Sequence, residues 1–175
     1  MSQQWYAVYT KNNCESKVVS QLNKRKITNF CAVNSTTINS RSTRKQQRNA
    51  LLPSIVFVLI SADQLIVINK IKEVASVLYW MGEPAIINTL EIEYLEYFTT
   101  NYQDLIVERV EVAHQAIPTI ATEQKVDIVG SMVALAQQQT KLILPSLGFA
   151  ILANTENINI DDTLIKKVKN IEIVQ

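Results

Sequence analysis

The chain has 175 residues, 47% hydrophobic and 19% charged, a composition that predicts a packed core and excludes global disorder. Its net charge of +1 hides an asymmetry: residues 1–50 hold nine Lys and Arg against the single acid Glu15, and the remaining eight basic and fifteen acidic residues follow, so a polyanion is the expected partner of the first part. No apolar run approaches the roughly 20 residues of a membrane-spanning helix, and "MSQQWYAVYT" lacks the charged-then-apolar pattern of a secretory signal, which points to a cytoplasmic protein without membrane contact.

"WYAVYT" is rich in aromatic and β-branched residues and reads as a strand. "NNCESKVVSQLNKRK" follows as a helix, with Asn12 and Glu15 at capping-box spacing and Cys14, Val18 and Leu22 inward. "NFCAVNSTTIN" reads as a second strand, and a basic loop over 40–49 leads to "LLPSIVFVLI". Pro53 has no N–H to donate and belongs at the beginning or edge of that strand, leaving Ile55 to Ile60 as a central strand buried on both faces. Ser61 and Gln64 repeat the capping-box spacing before a short helix with Leu65 and Ile68 inward. "SVLYW" is the next strand, ended by the Gly82–Pro84 turn. "TLEIEYLEYFTTNY" is an acidic amphipathic helix with Thr89 as its cap and Ile92, Leu95 and Phe98 as its core stripe.

This order predicts an α/β sandwich, helices against a small, mostly antiparallel sheet, over residues 1–102. Residues 103–120 have no clean period and read as a linker interrupted by Pro118. Residues 121–175 carry the short β-like segments "KVDIV", "SMVALA", "TKLIL" and "GFAILA", the rhythm of a small barrel.

"WYAVYTK", "ESKV", "LLPSIVFVLI" and "INKIKEVASVLYWMGEPAII", in that order over roughly residues 4–100, resemble the N-terminal domain of the NusG family of transcription elongation factors. They look most like its operon-specific RfaH-like and UpxY-like branch. "TKLILPSLGFAI" is similar to the later half of the family's SH3-like KOW barrel, whereas the glycine-containing turn expected after "KVDIV" is missing. The resemblance implies a non-enzymatic antitermination or elongation factor without a cofactor. Its polymerase-binding apolar pocket, which grips the β′ coiled coil, would be Tyr9, Leu52, Ile55, Phe57 and Met81. Lys11, Lys24, Arg25 and Lys72, with Lys17 as a neighbour, would face the non-template strand, and the loop with Arg41, Arg44, Lys45 and Arg48 the upstream duplex DNA. Phosphates suit such cations. A contact to the β gate loop would fall at Gln64, Leu65 and Ile66, where the RfaH-like pattern is polar. The second domain's ribosome or termination-factor contacts transfer only with the barrel.

A general RNA-binding or ribosome-associated module would use the same basic surface. An enzyme has little to work with: the one histidine is His114, no Gly-rich phosphate loop or metal cluster is visible, and neither Cys14 nor Cys31 has an evident activating base.

Overall fold

A computed structural model describes residues 2–40, 43–109, 132–135 and 139–154. The first strand, β1 (Gln4–Thr10), leads through a turn at Asn13, whose φ of 55° an asparagine tolerates, into helix α1 (Glu15–Lys24). The expected capping box at Asn12 does not form. Cys14 takes the N-cap position without a side-chain bond, and Glu15 instead accepts the backbone N–H of Ser54 at 2.7 Å. That bond holds the residue just ahead of the central strand, at a φ of 61°.

Strand β2 (Thr28–Phe30) is short, and the segment expected to continue it becomes β3 (Val33–Ser40), paired with β4 (Thr43–Ala50) in a two-stranded ribbon. The basic stretch is therefore largely strand rather than loop. Next come β5 (Ile55–Ile60), a 3-10 turn at Ala62–Gln64 and the short α2 (Leu65–Asn69). The Ser61 N–H donates to Gln64 Oε1 at 3.1 Å, as the second capping-box spacing predicts. Strand β6 (Val74–Val77) precedes the small hairpin β7 (Tyr79–Trp80) and β8 (Glu83–Pro84), then β9 (Ile86–Ile87) and helix α3 (Thr89–Asn101). Asn88, one residue before the expected Thr89, caps α3 by accepting the Leu90 N–H at 2.9 Å.

The main sheet runs β2-β5-β1-β6 with β9 also on β1, and these strands pair antiparallel. β5 sits inside this sheet, which explains its unbroken apolar sequence: both faces are covered. Alternation sends Val56, Val58 and Ile60 to one side with Tyr6 and Val8, packed with Val18 and Leu22 of α1 and Ile68 of α2. Ile55 and Phe57 go to the other side with Ala7, packed with Ile92, Leu95 and Phe98 of α3.

Beyond α3, Asn34 holds the chain against β3, donating from Nδ2 to the Leu105 carbonyl at 2.9 Å and accepting the Leu105 N–H at 3.1 Å. Residues 106–109, read from sequence as linker, form β10 (Ile106–Arg109). Strands β11 (Met132–Leu135), β12 (Gln139–Leu144) and β13 (Phe149–Asn154) complete an antiparallel sheet in the order β10-β13-β12-β11. "KVDIV", His114 and residues 161–175 lie outside the described residues. Leu142, Leu144, Ile151 and Ala153 of this second sheet belong to the same buried cluster as Phe57 and α3. One face of the first sheet thus shares its core with the C-terminal strands.

Candidate functional site

The registers of β1 and β5 pair Tyr9 with Ile55 and Ala7 with Phe57. Residues directly opposite in a sheet share a face, so Tyr9, Ile55 and Phe57 lie on one face of the sheet. The expected openness of the pocket needs correction. Leu52, Ile55 and Phe57 are all buried, Phe57 completely, and Phe57 also stacks on Phe30 with ring centroids 6.1 Å apart. The physical reason is the cover of α3 and the C-terminal strands, whose apolar side chains gain more against this face than against water.

What stays open is a cleft of about 480 Å³ at the edge of that seam. It is lined by Ala7, Tyr9 and Ile55 of β1 and β5, by Tyr79, Trp80 and Ile86, and by the turn from Pro145 to Phe149. Tyr9 is 37% exposed and Trp80 59%, a concentration of aromatic surface with polar handles suited to a protein partner. Met81 is 91% exposed at the tip of the β7–β8 turn, with a φ of 51°, and does not line the cleft. Sequence reasoning chose Met81 and missed Tyr79, Trp80 and Ile86. The signal was the "LYW" run beside a glycine turn, which was read only as a strand.

A carboxylate closes the seam. Glu91, in the first turn of α3, is 2% exposed, and its Oε1 accepts both the Ser146 N–H at 3.2 Å and the Ser146 hydroxyl at 2.8 Å. Its Oε2 is buried and has no hydrogen-bond partner among the described residues. Burial pushes the Glu91 carboxyl above its ordinary value of 4.5, and the two Ser146 bonds offset only part of that. A raised acid binds more protons when the seam is closed, so its contribution is fully present below pH 4.5 and lost as pH rises through the raised value. Urea unfolding followed at a series of pH values should therefore show stability falling over that window, and Glu91→Gln should flatten the fall. An unchanged profile in the variant would remove Glu91 as its source.

The cations fall into two sets. The Lys11 N–H donates to the Glu73 carbonyl at 2.9 Å, which brings Lys11 beside the Lys72–Glu73 segment. Lys17 and Lys24, seven residues apart on α1, share an exposed helical face, and the Arg25 guanidinium reaches back to the Gln21 carbonyl at 2.9 Å. Arg48 is exposed at the base of the ribbon and lines a polar cleft with Gln46, Thr99 and Gln103. Arg44 and Lys45 belong to β4, and Arg41 lies outside the described residues. At the expected gate-loop contact, Leu65 is buried, while Ile66 and Val67 are exposed. Burial and the nearby Glu15 charge raise the Cys31 thiol, the opposite of what an activated nucleophile needs.

The protein-family model described as transcription termination factor NusG matches residues 3–96, more than half of the chain and nearly all of the first sheet with its helices. The chain belongs to the NusG family. Factors of the NusG family are non-enzymatic transcription elongation and termination factors that bind RNA polymerase. Among solved structures, "Domain interaction in Thermotoga maritima NusG" matches with 13% sequence identity and a TM-score of 0.39, covering 90% of this chain and 99% of that one. No curated protein matches the chain.

Proposed function

We propose that this NusG-family chain is an antitermination factor of the RfaH-like and UpxY-like kind, which docks a helical hairpin of RNA polymerase, the β′ coiled coil, on the Tyr9–Ile55–Phe57 face. The observation that carries the reading is the aromatic cleft beside a face whose remaining apolar surface lies under the C-terminal sheet. In the closed form Tyr9, Tyr79 and Trp80 offer the partner a first foothold, and full docking requires the β12–β13 turn to withdraw. Buried anchors of this type dominate interface energies. The four C-terminal strands would be the family's small KOW-type module, used here as a removable cover.

Lys11, Lys17, Lys24, Arg25 and Lys72 then hold the displaced non-template strand by its phosphates. The β3–β4 ribbon, with Arg44, Lys45 and Arg48 and the adjoining Arg41, approaches upstream duplex, whose major groove admits a two-stranded ribbon. The exposed Ile66 and Val67 give the gate-loop side an apolar rather than polar contact. Long surface-polysaccharide operons are the targets that resemblance to the UpxY-like branch implies.

The test is a binding titration of the full chain against purified bacterial RNA polymerase core enzyme. Tyr9→Ala combined with Trp80→Ala should weaken binding by about tenfold or more, the scale of losing interface hot spots, and because Tyr9 is only 37% exposed urea unfolding of the same variant checks that its first sheet remains folded. Binding unaffected by the pair would contradict the docking face. Tight binding to RNA without polymerase at the same salt would favour a general RNA-binding module.

A further inference from the structure

Glu91 is the wrong group for the seam it occupies. Ser146 supplies one N–H and one O–H, both to Oε1, while Oε2 is sealed from water and has no donor among the described residues. A buried anion normally survives by pairing with a cation or gathering several donors. Among the described residues the only ion pair is Lys141 with Glu108, on the second sheet, and burial and the Ser146 bonds, rather than a charged neighbour, act on Glu91. A neutral side chain of the same shape would suit the closed form at least as well. The position of the carboxylate explains more. It lies one residue ahead of Ile92 on the helix whose Ile92, Leu95 and Phe98 line the covered face, so withdrawal of the β12–β13 turn leaves both oxygens open at the edge of an apolar surface.

We propose that Glu91 is a specificity-determining anchor for the polymerase partner, taking an arginine guanidinium of the docking element in a two-toothed ion pair once Ser146 has left. This inference rests on the docking reading above and names the chemistry that the partner must bring. A guanidinium is the fitting group because its planar fork serves two carboxylate oxygens at once, which a lysine ammonium does not. It also supplies what the closed form lacks, a donor for Oε2. The same carboxylate thereby weakens the cover and rewards its replacement, which biases the exchange toward the polymerase-bound state.

The inference separates cleanly from a mere latch between Glu91 and Ser146. Full-length wild type, Ser146→Ala and Glu91→Gln are titrated against purified RNA polymerase core enzyme. Ser146→Ala removes only the cover's hold and should bind several-fold more tightly, about the worth of one hydrogen bond to a charged group. Glu91→Gln should bind about tenfold or more weakly, the scale of a charge-assisted bidentate pair, while remaining at least as stable as wild type to urea. Because a firmer cover alone would also weaken binding, the comparison is repeated in chains carrying Leu144→Asp, which charges the fully buried core of the cover and opens it: there the tenfold loss on Glu91→Gln should persist, and its disappearance, or tighter binding by Glu91→Gln in either background, overturns the anchor. Should the glutamine chain unfold, Glu91→Leu takes its place with the same expected loss. Failure of the wild type itself to bind would instead overturn the docking reading, and this inference with it.

Discussion

Phe57→Ala should cost about 3–5 kcal/mol of unfolding free energy, the range for truncating a fully buried aromatic. Phe57 has no exposed surface, stacks on Phe30 and sits in the cluster that joins the first sheet, α3 and the C-terminal strands. Its removal leaves a cavity that these elements cannot close without moving together. For a domain whose total stability is about 5–15 kcal/mol, that is a large fraction, and urea denaturation followed by circular dichroism would read it. Trp80→Ala, at an exposed position on the same side, should change stability by about 0.5 kcal/mol or less. The contrast assigns different jobs to neighbours: Phe57 first supports the fold, whereas Trp80 presents more than half of its surface to solvent. Equal stabilities for wild type and Phe57→Ala would mean that the shared core does not exist in solution.

Much of the first module was legible because its elements bury one or two complete faces. β5 announced itself by having no polar residue from Ile55 to Ile60, and Val18 with Leu22 marked the inner side of α1. The grouping of Tyr9, Ile55 and Phe57 came from the resemblance to the NusG family, and no local pattern in the sequence supplies it. The second arm of the β3–β4 ribbon escaped for the opposite reason. "VNSTTINS" reads as strand, but "TRKQQRNA" stands off the main sheet and carries almost no apolar alternation, so a strand there looks like a polar loop. β10 was hidden because its partner β13 lies about forty residues further on, and no local pattern reports a pairing of that range. The covering of the pocket was likewise invisible: Leu142, Leu144 and Ile151 read as the inside of a barrel, and nothing in their spacing says which surface they meet. Glu91 was legible only as a carboxylate favouring a helix N-terminus, and its burial depends on the turn that carries Ser146.

The second large effect comes from prising that cover away. Leu144 is fully buried in the shared cluster and ends the strand that feeds the Ser146 turn. Leu144→Asp puts an unpaired carboxylate there, on the side where Glu91 already lacks a partner for one oxygen. The burial cost of such a charge is about 3 kcal/mol or more, and the open form gains accordingly. When a partner binds only the open form, apparent affinity scales with the open fraction, so an opening of that size allows a gain of up to about a hundredfold. Faster proteolysis beyond Asn101 should accompany it, with the first sheet left intact.

The most direct measurement is therefore the affinity of full-length Leu144→Asp for purified RNA polymerase core enzyme, beside wild type at one salt concentration. A covered docking face predicts markedly tighter binding by the variant, abolished again when Tyr9→Ala and Trp80→Ala are added. Binding that is unchanged or weaker, in a chain whose first sheet remains folded, would contradict it.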